Sequence, residues 1–429
     1  MQSSRACLVV LTCAALTLAG CAQQSAESAK AAKVTKIEPG ADAQKRAQTA
    51  LINAKPGDTI EFAAGKFEFT STLSLDISDV TIRGQGEDKT ILAFNQQGQG
   101  TGGEGILVTS KEKFTIEDLA VEDAKGDAIK VSGCNGVTFR RVRVGWTAGA
   151  KENNGGYGFY PVLSTDVLIE DCIAREASDA GIYVGQSENI IVRRNRAERN
   201  VAGIEIENSV NADVYDNVAT DNTGGILVFS LPDLKKKIGH HCRVYNNQII
   251  ENNHENFAPK GNTVANVPAG TGVMILANRQ VEVFDNQIEN NQNIGLSICS
   301  YFVTQRPFTD EGYDPYCEAI YVHDNKFVGG GDKPNGKLGL LVAAVLGGKL
   351  PAIVYDGVVD EKKAVNGVLP DDLAIRIRNN GDADFVNFDL PNLDVSNPLN
   401  IKKGNVSRDL KPYEGEMPNL SPVTIAGVK

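Results

Sequence analysis

The stretch DAGIYVGQSENIIVRRNRAERNVAGIEIENSVNADVYDNVATDNTGGILVFS, residues 179–230, decides the fold. Three short segments, GIYVGQ, GIEIEN and GILVFS, open at Gly181, Gly203 and Gly225, a spacing of 22 residues each time. Between them lie two further alternating segments, IIVRRNRA and ADVYDNVA, each followed by a polar corner. A period this short cannot bury a hydrophobic face alone and becomes stable only by stacking on copies of itself. Strict alternation turns one face of each segment inward and the other outward. Three short strands per period therefore close into one coil of a β-solenoid.

The period extends in both directions. First strands read GILVTS (105–110), AIKVSG (128–133), GFYPVLS (158–164), the three above, GVMILA (272–277), GLSICS (295–300) and GLLVAA (339–344). Aligning the second strands brings Leu119, Val142, Cys172, Asn195, Asn217, Asn247, Asn286 and Asn325 to one corner. Five successive asparagines there are expected to form a buried structural ladder. Each amide can bond its own corner and the asparagine one coil away. Insertions interrupt the period at 145–157, 252–270 and 329–337 before a first strand, and at 231–241 and 300–318 after one. Both sets border one sheet, so they should rise as the walls of a groove, the face on which solenoids often bind.

The outward residues of that sheet form two columns. One reads Leu107, Lys130, Tyr160, Tyr183, Glu205, Leu227, Met274, Ser297 and Leu341; the other reads Thr109, Ser132, Val162, Gly185, Glu207, Phe229, Leu276, Cys299 and Ala343. Two function classes follow. In the first, the groove takes an extended glycan. Glu205 and Glu207 would hold carboxyls roughly 6–8 Å apart, within the range for inverting glycoside hydrolysis. Lys130 would polarise an acidic sugar or act as a base. Tyr160, Tyr183 and Trp146 would contact sugar, and Asp179 would join the Glu pair as oxygen ligands for Ca²⁺. The competing reading of the pair is solvated surface charge. In the second class, Leu227, Phe229, Met274 and Leu276 form an apolar patch on which another envelope protein docks if the loops leave it open; the competing reading is that loop 231–241 or 252–270 folds over it.

Composition narrows the partners. With 43 Lys plus Arg against 54 Asp plus Glu, nucleic acid is disfavoured, because phosphate binding needs a basic face. The first 20 residues read as a signal peptide: Arg5, an apolar run over 8–18, then Leu18-Ala19-Gly20-Cys21. That string resembles the bacterial lipobox, which implies lipid on Cys21, and Ala22 implies the outer membrane as the only membrane link. Residues 21–42 read as a tether. Of eight cysteines, Cys299 and Cys317 bracket one loop and are the expected disulfide. His240 and His241, beside Lys235, Lys236 and Lys237, are adjacent and should point apart in a solvated basic loop.

AQKRAQTALINA (43–54), then KPGD and the phrase VTIRGQG, resemble the N-terminal cap of the pectate-lyase-like superfamily, in which a helix plugs the open solenoid. GYGFYPVLSTDVLIEDC looks like the alginate-epimerase segment beginning YGFDPH. Tyr157, Gly158, Phe159 and Pro161 match, but Tyr160 and Val162 replace the acidic residue and the histidine that carry the reaction. Over roughly 45–345 the chain resembles a family of secreted or lipid-anchored β-helix proteins that occur beside a cytochrome-like envelope protein. The resulting expectation is an all-β, right-handed single-stranded parallel β-helix with an N-terminal capping helix and an irregular C-terminal cap. The β-helix should run over 43–350, with a final coil and cap over 351–429, in a monomer.

Overall fold

The computed structural model describes residues 32–98, 100, 102–366, 368–393 and 404–428. The leader, Cys21 and half of the tether lie outside these residues. Coils stack as two parallel sheets, one of 20 strands and one of 11. The 11-stranded sheet is the floor of the expected groove. Its strands are β1 (Leu73–Leu75), β2 (Ile106–Thr109), β3 (Ile129–Ser132), β4 (Tyr157–Val162), β5 (Ala180–Gly185), β6 (Ala202–Glu207), β7 (Gly224–Phe229), β8 (Thr271–Leu276), β9 (Ile294–Cys299), β10 (Ile353–Tyr355) and β11 (Phe385–Asn387).

Register follows the period. Ile182, Ile204 and Ile226 pair in line, and all three are fully buried in the interior core. Glycine leads these strands because the coils approach closely there: a Cβ on Gly203 would lie 2.6 Å from the Gly225 carbonyl oxygen and 2.8 Å from the Asn222 amide nitrogen. Helix α1 (Ala43–Asn53) packs Ala43, Ala47 and Leu51 into the same core.

Corners are held by amides. Asn195, Asn217, Asn247, Asn286 and Asn325 each donate Nδ2–H to the Oδ1 of the next, 2.9–3.0 Å away, ending on Asn380. A second ladder, Asn200–Asn222–Asn252–Asn291, runs one corner further on. At the third corner the hydroxyls of Ser164, Ser187 and Ser209 accept backbone N–H groups from the coil before.

Four expectations change. Val34–Ile37, assigned to the tether, is a strand paired in parallel with Thr59–Phe62. GLLVAA is not a strand but part of helix α2 (Gly336–Leu346), so Leu341 and Ala343 leave the columns. The segment is apolar without alternation and rich in Leu and Ala, so helical spacing wins: Val342 and Val345 are buried while Leu340 is 58% exposed. Gly347, at φ 85°, ends the helix by donating its N–H to the Ala343 carbonyl. Two floor strands lie past 350, where a single final coil was expected: β10 pairs with β9 and β11 with β10.

Nor does the C-terminal stretch stay at the end of the solenoid. Residues 416–425 run back along the 20-stranded sheet. Glu416 pairs with Arg378, the Leu420 N–H donates to Glu282, the Val423 N–H donates to Asp213, and Ile425 packs on Leu168 and Ile191. Seven strands are crossed, about 29 Å at the usual strand spacing. Nine residue steps reach about 30 Å only when extended, a conformation Pro418 and Pro422 favour.

Candidate functional site

The two columns point outward as read from sequence, but they do not face open solvent. Three insertions interlock above them. Asn208 and Gln186 hold residues 231–237 through backbone bonds. The Tyr313 hydroxyl donates to the Ser230 carbonyl at 2.7 Å, and Lys237 pairs with Asp310. The segment 252–270 folds back on itself through Asn256, whose amide donates to the Val264 and Val267 carbonyls.

At the polar end, β4 to β6, this roof lies directly on the floor. Glu205 and Glu207 are 2% and 8% exposed. They are not solvated charges. The Tyr183 hydroxyl donates to Glu207 at 2.6 Å, while one Glu205 oxygen is buried without a hydrogen-bond partner. Asp179 accepts from the Asn262 amide at 2.9 Å. The rings of Tyr157, Tyr160 and Tyr183 contact one another, with centroids 4.4–5.0 Å apart. Burial, then the charges of Glu207 and Asp179, push the Glu205 carboxyl well above its ordinary range. Burial and then Glu207 push Asp179 to about 7. Burial also raises Glu207, against the hydrogen bond from Tyr183. Among the described residues no three His, Cys, Asp or Glu side chains are placed to hold a metal ion, so the expected Ca²⁺ set of Asp179, Glu205 and Glu207 is not formed.

Lys130 stands at the edge of this cluster. Its ammonium lies 3.6 Å from Asp127 and 3.7 Å from Glu104, over the Tyr160 ring. Burial, opposed by Lys130, raises Asp127 to about 6. Trp146 is not a ligand contact. It lies in the interior core, and its indole N–H donates to the Ala124 carbonyl at 2.6 Å.

At the distal end, β7 to β9, the roof stands off. Leu227, Phe229, Met274 and Leu276 are buried beside Val264, Val267, Tyr301 and Tyr313, so this column is not an open patch. Between roof and floor a cavity of about 870 Å³ remains, floored by Phe229, Met274 and Leu276. Its walls come from 253–269, from Tyr301 to Arg306, and from α2 with Asn335 and Leu390. Phe302, 42% exposed, stands in that wall.

Two further expectations are corrected. Cys299 and Cys317 are free thiols. They face opposite sides of the wall, Cys299 under the roof and Cys317 in the interior core, and the Cys317 thiol donates to the Cys299 carbonyl at 3.1 Å. His240 and His241 do not point apart. His241 has a left-handed backbone, φ 57°, which breaks strand alternation and brings the two Nδ1 atoms to 2.7 Å. The second asparagine ladder, the C-terminal strap and the role of α2 as a cavity wall were not read from sequence. The first was visible as Asn200, Asn222, Asn252 and Asn291, each five residues after a ladder asparagine.

The model of the right handed beta helix region matches residues 71–249. The chain folds as a right-handed parallel β-helix. Similar solved structures include the A-module of the Azotobacter vinelandii mannuronan C-5 epimerase AlgE4, 16% identical over 75% of this chain and 89% of that one, with a TM-score of 0.47. The alginate lyase from Paenibacillus sp. str. FPU-7 is 17% identical over 69% of this chain and 98% of that one, TM-score 0.46. The catalytic domain of a GH87 alpha-1,3-glucanase is 14% identical over 82% of this chain and 53% of that one, TM-score 0.45. No curated protein matches the chain.

Proposed function

We propose that this protein is a lipid-anchored envelope β-helix that binds a glycan segment in the distal cavity. The observation that carries the reading is the cavity itself. Its volume of about 870 Å³ is in the range of small-ligand sites. Its floor is apolar, and Tyr301 and Phe302 stand in one wall. Gln305, Arg306, Lys337 and Glu255 also line it. An apolar floor beside a few separated polar groups suits a sugar, whose rings present C–H faces and hydroxyl edges. Most other amides in the lining are already used: Asn253 and Asn335 bond backbone groups of neighbouring loops.

The reading is one of binding rather than turnover. Two-carboxylate hydrolysis needs a second acid across the scissile bond, and Glu255 is the single carboxylate among the lining residues. Glu205 and Glu207 are sealed under the roof. Docking of a partner on the apolar column is disfavoured because that column is covered.

The test is an oligosaccharide array followed by calorimetry on the purified protein, beside Leu276→Trp, which fills the floor. Micromolar-to-millimolar binding that the variant loses supports the reading. No binding to any neutral or acidic oligosaccharide overturns it. Anchoring is checked separately by mass spectrometry of the N-terminal peptide, where Cys21 should carry diacylglycerol and Cys21→Ser should abolish it.

A further inference from the structure

The segment 252–270 has two faces. Residues 253, 255, 256, 263 and 265–269 line the cavity. Asn262 reaches the other way and donates to Asp179, while Val264 packs in one apolar cluster with Ala180, Tyr183 and Leu227. One loop thus closes the carboxyl cluster and walls the binding space.

The cluster beneath it holds three carboxyls, on Asp179, Glu205 and Glu207, and no counter-charge. The groups that face them are the phenols of Tyr157, Tyr160 and Tyr183, the carboxyl of Asp127 and the neutral amide of Asn262. Lys130, at the edge of the cluster, faces Asp127 and Glu104. No ion pair reaches Asp179, Glu205 or Glu207 among the described residues, and no metal set is formed there. Buried carboxyls without cations cannot all ionise in place. Protons are the remaining means of neutralising them.

We propose that the segment 252–270 is a pH-released wall of the cavity, seated while Asp179, Glu205 and Glu207 hold protons and loosened as they lose them. The sign follows from linkage. Seated, the carboxyls keep their protons to higher pH than usual, Asp179 to about 7. Released, water reaches them and they titrate near the ordinary value of about 4. The seated state therefore binds more protons, and raising the pH across that interval favours release. The consequence for the ligand rests on the cavity reading above, but release itself is measured without any ligand.

The experiment is hydrogen–deuterium exchange of the intact protein at about pH 5.5 and about pH 8, corrected for intrinsic exchange chemistry. Peptides covering 252–270 should open at least ~10-fold more at the higher pH, while ladder-strand peptides such as 210–220 stay protected. Glu205→Gln/Glu207→Gln keeps shape and removes two of the three titrating carboxyls, so its loop should open less at the higher pH than the wild type. Asp179→Asn serves as a second variant should the double variant misfold. Equal loop protection at the two pH values in the wild type overturns the proposal, as does an unchanged pH response in a folded variant. Failure of the oligosaccharide array alone would sink the cavity reading and leave this result standing.

Discussion

The two ends of the groove share one sheet, one register and one roof, yet one end is solid and the other hollow. At the polar end the floor side chains are long and mutually engaged: three tyrosines contact one another and Tyr183 reaches Glu207. They fill the space to the roof and bring three carboxyls into it. At the distal end Phe229, Met274 and Leu276 carry no polar handle, and although Val264, Val267, Tyr301 and Tyr313 pack around them, a cavity remains above them. A side-chain column therefore sets the chemistry of a groove floor, while the roof decides whether that chemistry is a site or an interior. The polar residues with the more enzyme-like appearance are the sealed ones.

The contrast assumes that the frame beneath both ends is uniform, and the largest expected effect tests that assumption. Asn217 donates its own backbone N–H and its amide to Asn247, gives a second amide hydrogen to the Val192 carbonyl, and accepts from Asn195. Asn217→Leu strands several buried polar groups at about 1–3 kcal/mol each, so a total loss of about 3–5 kcal/mol is expected from denaturant midpoints. Exchange protection should fall at both ends together. A loss confined to one end would show that the ends are separate units and break the comparison.

Next in size is the carboxyl cluster. Glu205→Gln removes an acid that burial holds protonated. Above the ordinary carboxylate value the unfolded chain releases that proton and the folded one does not, so the wild type loses stability as pH rises. Folded Glu205 therefore destabilises at about pH 8, and the Gln variant should gain about 1–3 kcal/mol there and nothing near pH 4. Glu170, on the 20-stranded sheet, should behave in the opposite way. Burial pushes it up, but hydrogen bonds from Arg140, Arg193 and Arg194 outweigh that and hold it at about 2. Its contribution is present above the ordinary value of about 4 and is lost as pH falls toward 2. A defect in Glu170→Gln that is present at neutral pH and vanishes toward pH 2, beside an alkaline-only gain in Glu205→Gln, would sharpen the contrast between a paired and an unpaired buried acid. Smaller again is the distal end, where Leu276→Trp should cost at least ~10-fold in oligosaccharide affinity, about 1.4 kcal/mol.

Much of this was legible in the sequence, for a physical reason. A 22-residue period with alternating segments has one way to bury its faces, so the interior Ile204 and Ile206, the outward Glu205 and Glu207, and the corner asparagines follow from spacing alone. What spacing does not carry is the path of an insertion. Whether 252–270 stands beside the floor or over it depends on single contacts such as Asn262 to Asp179, which lie 83 residues apart and leave no local signal. The same holds for Cys299 and Cys317: their proximity in sequence suggests a bond, but Cys299 lies under the roof and Cys317 in the interior core. GLLVAA misled because an all-apolar run of that length fits strand and helix alike.

The smallest expected effect concerns the C-terminal strap, and the reason for its size can be read from its partners. Removing residues 416–429 takes the Leu420 N–H from Glu282 and the Val423 N–H from Asp213. Neither acid is left alone. Asp213 keeps both oxygens on Arg243, at 2.8 Å each, and Glu282 keeps His323 at 3.1 Å. What is lost is the exposed Glu416–Arg378 pair, the Arg243 bond to the Leu420 carbonyl, two backbone hydrogen bonds that water can replace, and the cover of Ile425 over Leu168 and Ile191. About 1–2 kcal/mol in the unfolding midpoint is therefore expected. The strap lies on the 20-stranded sheet, so exchange in 252–270 and oligosaccharide affinity should both hold at wild-type values. If strap removal instead loosens that loop, the two sheets communicate through the coil, and the difference between the solid and hollow ends is set by the whole solenoid rather than by the side chains above one sheet.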